Sequence, residues 1–423
     1  MSTGVSVPEV GTPLTVEVDP GEVGMDAGRL ARLDAHFARY VDEKLLPGWL
    51  VVVSRGGQVA HLSTYGHRDI AAGLPVEVDT LFRLASMTKP ITSVAAMMLY
   101  ERGAFELKDP VSRFVPGFAD ARVYRGGSAA TMVTDPVVEP LRIWHLLTHT
   151  AGLTYGFHHA HPVDALYRRA GFEWGTPPGL DLAGCCEAWA GLPLLFQPGS
   201  EWNYSVATDV LGRVVEVASG QSLDAFFAEH IFAPLAMDDT AFFVDPAAAR
   251  RLARLYVPAA GTGLATPLAP ERSLAAATTA PACLSGGGGL IGTARDYHRF
   301  LQMLRGGGEL DGVRLLARRT LAYMTRNHLP GGGDLETVGR PLFAETTFDG
   351  IGFGLGFSVV LDPVKNRVVS SAGEYAWGGA ASTAFFVDPA EDLTVLFLTQ
   401  LMPSSTHPLR PQLRQLVYQA LVD

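Results

Sequence analysis

Lysine is scarce in this chain of 423 residues: four, at Lys44, Lys89, Lys108 and Lys365, stand among 33 basic residues against 43 acidic ones. The formal net charge of −10 repels a phosphate backbone and an anionic membrane surface, so neither nucleic acid nor a membrane is expected as a partner. Cysteine is rarer still. Cys185, Cys186 and Cys283 offer no even-numbered disulfide framework and no C-x-x-C pair for zinc or redox work, so a reducing compartment is expected. Met1 to Gly24 lack the basic and apolar regions of a signal peptide, and no stretch reaches the roughly 18 apolar residues of a bilayer span. The expectation is a soluble, unexported, cytoplasmic protein. Apolar residues at 48% against 18% charged exclude wholesale disorder.

Several common catalytic signatures are missing as well. No serine is flanked by glycines in a G-x-S-x-G elbow, and none of the four lysines follows a glycine as a Walker A loop requires. Gly352-Phe-Gly354-Leu-Gly356 lacks the third glycine of a dinucleotide loop and reads as a strand entrance. His145 and His149 have the spacing of a zincin helix without its glutamate, and read as core or hydrogen-bonded histidines. His158, His159 and His161 form a histidine-rich loop that reads as solvated, so no metal or other cofactor is expected. Gly286 to Gly289 reads as a tight passage before a helix that Thr293 caps.

What is present begins with an amphipathic helix opened by Asp26, its apolar residues Leu30, Leu33, Phe37, Tyr40 and Val41 at helical spacing. The run from Trp49 to Arg55, the turn Gly56-Gly57 and the run from Gln58 to Gly66 predict a hairpin. Helical pattern returns from Ser86 to about Arg102. The middle of the chain holds helical pieces at 207–219 and 222–232 between long connections at 116–140, 155–182 and 256–289. Strand patterns at Gly354–Leu361, Ala381–Val387 and Leu393–Leu401 precede a closing helix over 409–422. The order predicts a leader at 1–24, an α/β sheet domain from 25–105 and 286–423, and an inserted, mainly helical domain at 106–285. A cleft between the two lobes is the expected site.

Ser86-Met-Thr-Lys89 places a hydroxyl and an amine three residues apart at a helix start, where the amine can reach the hydroxyl. Activation of the serine requires a neutral lysine, its pKa lowered by burial or by the helix N-terminus. A surface Ser and Lys on an ordinary helix is the competing reading of the motif alone. Four further segments follow in order: His145-Leu-Leu-Thr-His149-Thr-Ala-Gly-Leu153, Pro198-Gly-Ser-Glu-Trp-Asn-Tyr204-Ser205, Ser285-Gly-Gly-Gly-Gly-Leu-Ile-Gly-Thr-Ala294 and Trp377-Gly-Gly379. This ordered set resembles the serine β-lactamase and penicillin-binding protein superfamily, most closely its family VIII carboxylesterases, which are similar to class C β-lactamases. The resemblance covers roughly residues 25 to 420.

The resemblance implies an α/β (α+β) fold, with a mainly antiparallel sheet built from both chain ends, flanking helices and an inserted helical domain. It also implies roles: Ser86 as the acyl-accepting nucleophile, Lys89 as its proton acceptor, and Tyr204 as the phenol serving the leaving group. The backbone N–H groups of Ser86 and Ala380 would form the oxyanion hole. Tyr155, Trp377, Gly378 and Gly379 would contact substrate, and a neighbouring cation would lower the Tyr204 pKa. The chain departs from β-lactamases in having Tyr204-Ser-Val206 for Tyr-x-Asn and Trp377-Gly-Gly379 for Lys-Thr-Gly. Buried polar groups of a lactam would lose partners at about 1–3 kcal/mol each, whereas neutral esters avoid that cost. A carboxylesterase for short-chain acyl esters is expected, with acyl transfer to alcohols as a related activity. The alternatives are a β-lactamase or DD-peptidase-like hydrolase, or a catalytically silent member that binds peptides or assembles.

Overall fold

The computed structural model describes residues 13–268, 277–341 and 343–422. Residues 1–12 of the expected leader and 269–276 of the expected connection at 256–289 lie outside the described residues. Helix α1 (Ala27–Asp42) starts where the sequence places it, with the Asp26 carboxylate accepting from the Arg29 N–H, and buries Leu30, Leu33 and Phe37. The hairpin of β1 (Gly48–Arg55) and β2 (Gln58–Asp69) follows, and a short β3 (Leu74–Pro75) pairs with β2.

The remaining strands of the same sheet come from the other end of the chain: β4 (Ile351–Phe353), β5 (Ser358–Val360), β6 (Tyr375–Gly378), β7 (Ala384–Asp388) and β8 (Leu393–Thr399). They assemble in the order β4-β5-β6-β7-β8-β1-β2-β3, with every recorded pairing antiparallel. The contiguous apolar run of β1 reflects its central place. Trp49, Val51 and Val53 face α1 and the C-terminal helix, whereas Leu50 and Val52 join the larger core on the other face.

The other face carries helix α2 (Thr88–Glu101), helix α3 (Ala207–Ser219) packed against it, and helix α4 (Ala294–Arg305), which lies on β1, β7 and β8. Helix α5 (Leu409–Tyr418) returns to pack with α1. Two expectations need correction. Of the strand expected over 354–361 only Ser358–Val360 is strand, and 354–357 forms the turn of a tight β4–β5 hairpin in which Gly354 and Gly356 approach Met324 and Ser93 too closely for any side chain. The connection expected at 116–140 is not loop throughout, because it contains its own strand pair, Arg122–Gly126 with Val133–Pro136.

Candidate active site

Ser86 does not begin the helix, as the sequence pattern suggested. It lies in a single 3₁₀ turn (Ala85–Met87) that feeds α2 at Thr88. The preceding Ala85 has φ +48°, a left-handed conformation that is costly for a residue with a Cβ and that sets the direction of the turn. Lys89 then falls in the first turn of α2, where Pro90 is tolerated because its missing N–H has no intrahelical partner there. The Lys89 Nζ donates to Ser86 Oγ at 3.2 Å and to the Gly287 carbonyl at 2.6 Å. Lys89 is 2% exposed, and burial pushes its pKa down to about 8 against the opposing pull of Asp209 and Glu345.

Tyr204 arrives from the segment preceding α3, and its hydroxyl donates to Ser86 Oγ at 2.6 Å. Its carbonyl is fixed by His158 Nε2 at 2.9 Å, and its ring lies 4.7 Å from the Lys89 Nζ. The Tyr204 pKa does not fall as expected. Burial, then the negative charge of Glu345, drive it well above the usual phenol value, outweighing the opposing influence of Ser86, Trp377 and Arg410. His149 closes the rear of the site, its ring 5.2 Å from that of Tyr204 and its pKa pushed down first by burial and then by Lys89.

Asp209, Gly287 and Glu345 were not anticipated as site residues. Asp209, in the first turn of α3 and 5% exposed, accepts from Ser285 Oγ at 2.5 Å and from the Gly287 N–H at 3.0 Å. It therefore fixes the loop whose carbonyl holds Lys89. A Cβ on Gly287 would strike Asp209, which explains the glycine there. Glu345 is buried, accepting from Ser404 Oγ at 2.9 Å and pairing with Arg410. The legible signal for Asp209 was a carboxylate among the apolar residues Ala207, Val210, Leu211 and Val214 of one helix. For Glu345, in an irregular segment, there was none.

The cavity in front of Ser86 measures about 480 Å³ and its surface is mainly apolar. Ser86, Tyr155, Tyr204 and Ala380 lie on its wall, so the structure brings these four together. The N–H groups of Ser86 and Ala380 enter no hydrogen bond with other described residues. Trp377, Gly378 and Gly379 are displaced from the expected place. Trp377 is 2% exposed and packs behind Tyr204, ring centroids 5.4 Å apart, because β6 turns it into the core. Its indole N–H is buried without a formed hydrogen bond. The two glycines make room for protein: a Cβ at 378 would strike the Arg410 guanidinium, and one at 379 would strike Thr383 and the Leu84 carbonyl.

Three further histidines that the sequence brings forward have partners within the protein. His145 Nδ1 accepts from the Arg142 N–H, His159 Nε2 meets Glu173 at 3.1 Å, and His161 Nδ1 accepts from the Val163 N–H. The Gly286 to Gly289 passage is the tight one the sequence suggested, with the Thr293 cap following it.

The family model described as Beta-lactamase matches residues 33–419. Esterase EstB of Burkholderia gladioli is 37% identical over 418 residues, covering 95% of this chain and 98% of that protein. A Penicillium citrinum protein described as ML-236A carboxylate methylbutanoyltransferase is 26% identical over 418 residues, covering 92% and 93% of the two chains. Among solved structures, EstCE1, described as a hydrolase with promiscuous acyltransferase activity, superposes with a TM-score of 0.77 at 31% identity, covering 92% of this chain and 99% of that one.

Proposed function

This chain belongs to the beta-lactamase family, and from that premise we propose that it is a serine carboxylesterase working through an acyl-enzyme on Ser86. The observation that carries the reading is the convergence of the Lys89 amine and the Tyr204 hydroxyl on one Ser86 oxygen, at the floor of an apolar cavity. Neutral Lys89 takes the Ser86 proton as Oγ bonds to the acyl carbon. The oxyanion sits between the N–H groups of Ser86 and Ala380, and loss of one such donor typically costs about 10²–10³ in rate. As the carbon–oxygen bond to the alcohol breaks, the Tyr204 hydroxyl protonates the departing oxygen, and the Lys89 ammonium restores that proton. Water then attacks the acyl carbon, its proton passes to the Lys89–Tyr204 pair, and the bond to Oγ breaks as Oγ is reprotonated. An alcohol in place of water gives acyl transfer, which the mainly apolar cavity wall favours.

The β-lactamase and DD-peptidase readings are weaker on electrostatic grounds. Among the described residues the wall carries the acidic side chains Glu173, Asp209 and Glu345 and no lysine or arginine, so it offers a lactam carboxylate no cationic partner apart from Lys89 beside Ser86. A cytoplasmic location fits the three buried, free cysteines and the absence, among the described residues, of a helix long and apolar enough to cross a membrane. Small neutral esters and alcohols are the proposed partners. The test is intact-mass and peptide analysis after p-nitrophenyl acetate or a phosphonate ester. An adduct on Ser86 that is lost in Ser86→Ala is expected; no adduct, or one elsewhere, overturns the reading in favour of a silent, binding member.

A further inference from the structure

Trp174 is the one tryptophan among the described residues that is largely exposed, at 66%, and it stands on the wall of the catalytic cavity. Its ring lies nearly parallel to Phe157, centroids 5.0 Å apart at 12°, and Phe157 lies likewise on Tyr155 at 4.7 Å and 19°. Tyr155 in turn meets Tyr204 edge to face at 5.3 Å. Four rings thus run from solvent to the hydroxyl beside Ser86. Phe343 flanks the row, 6.5 Å from Phe157.

The row is held by fixed contacts. Gly156 packs so tightly on the Phe172 carbonyl that a Cβ would collide with it, and Arg168 Nη1 donates to the Gly156 carbonyl at 2.7 Å. His159 Nε2 meets Glu173 Oε1 at 3.1 Å, tying the turn that carries Phe157 to the loop that carries Trp174. An indole left in water at the end of such a row has one apolar edge unfilled, and flat rings stack on flat rings in offset geometry.

Resting on the esterase reading, we propose that Tyr155, Phe157 and Trp174 form a subsite for the alcohol part of the ester, and that this part is aromatic or a flat polycycle. The assignment to the alcohol side follows from where the row starts. Tyr204 protonates the departing oxygen, so whatever that oxygen carries extends along the rings that begin at Tyr204. The small acyl group then lies towards Val206, Gly287 and Gly288 on the remaining wall.

The test compares two acetates that share an acyl group, 2-naphthyl acetate and ethyl acetate, in the wild type, Trp174→Ala and Trp174→Phe. The naphthyl-to-ethyl ratio of kcat/KM is expected to fall about tenfold in Trp174→Ala, through KM for the naphthyl ester, and to be largely kept in Trp174→Phe. An unchanged ratio, or an equal loss for both esters, overturns the subsite. A second measurement is independent of catalysis: titration of Ser86→Ala with 2-naphthol, followed by tryptophan fluorescence. Saturable quenching that disappears when Trp174→Ala is added supports the subsite, and no saturable quenching overturns it. A wild type that turns over neither acetate refutes the esterase reading instead, and the titration still decides the subsite.

Discussion

At pH 7 an amine with a pKa near 8 is about nine-tenths protonated, so the Ser86 proton has an available acceptor in only a minority of molecules. If Lys89 is that acceptor, kcat/KM for a neutral ester rises with pH through a midpoint near 8. A profile flat between pH 6 and 9 would assign the base elsewhere. Asp209 raises the Lys89 pKa and also positions Gly287. Asp209→Asn keeps an acceptor for Ser285 and Gly287 but removes the charge, so the rising limb moves to lower pH, by a fraction of a unit. Stability carries the complementary signature. Lys89 prefers its proton more in the unfolded chain, where its pKa is 10.5, than in the folded one, so its burial penalty is full below about pH 8 and fades towards pH 10.5. Lys89→Met removes that penalty and leaves the Gly287 carbonyl without its donor. A net gain of about 1–2 kcal/mol at pH 7, read from urea unfolding, is expected alongside loss of esterase activity. Ser86 and Lys89 stood out because a hydroxyl and an amine three residues apart suggest a chemistry, whereas Tyr204 was singled out only through the resemblance carried by the ordered segments. Glu345 was not, since its proximity to Lys89 and Tyr204 arises from a fold that joins irregular segments far apart in sequence.

Elements were legible where one physical signal dominated. The Asp26 cap and the spacing of Leu30, Leu33 and Phe37 mark α1, and the apolar run of β1 marks a strand covered on both faces. Glycines misled where tertiary contact, not local preference, put them there. Gly354 and Gly356 looked like part of a strand, yet they form the turn of a hairpin laid against Met324 and α2. Gly356 has φ +98°, and its Cβ would press into Ser93. Gly356→Ala therefore meets both backbone strain and a collision, and a loss of about 2–4 kcal/mol in urea unfolding is expected. A loss below about 0.5 kcal/mol would show that the hairpin relaxes away from α2 freely. Gly378 and Gly379 teach the same lesson at the site itself: glycines beside a catalytic cavity invite a substrate explanation, whereas here Arg410 and Thr383 fill the space.

On the scale of the whole molecule, the two chain ends meet in one sheet, and the cavity lies where that sheet, α2 and the loop before α3 converge. The charge of −10 distributed over the chain and the acidic residues on the cavity wall act on a substrate at different ranges. The distant charges are screened within a Debye length of about 10 Å at 0.1 M salt. A carboxylate about 8 Å from a like charge, at an effective dielectric of about 20, contributes about 2 kcal/mol of repulsion, a figure that Arg410 paired with Glu345 and the Lys89 ammonium near Asp209 reduce here. Neutral esters should consequently be preferred over anionic ones by a factor with two parts. Ethyl butyrate is expected to exceed monoethyl succinate by about three- to tenfold in kcat/KM at low salt, the ratio falling as salt is raised and then levelling off above unity. The residual preference at about 1 M salt reports the cavity wall, and the part that disappears reports the surface. If the two esters are equally good at low salt, the Lys89 ammonium offsets the wall carboxylates, and the electrostatic argument against lactam carboxylates fails with it.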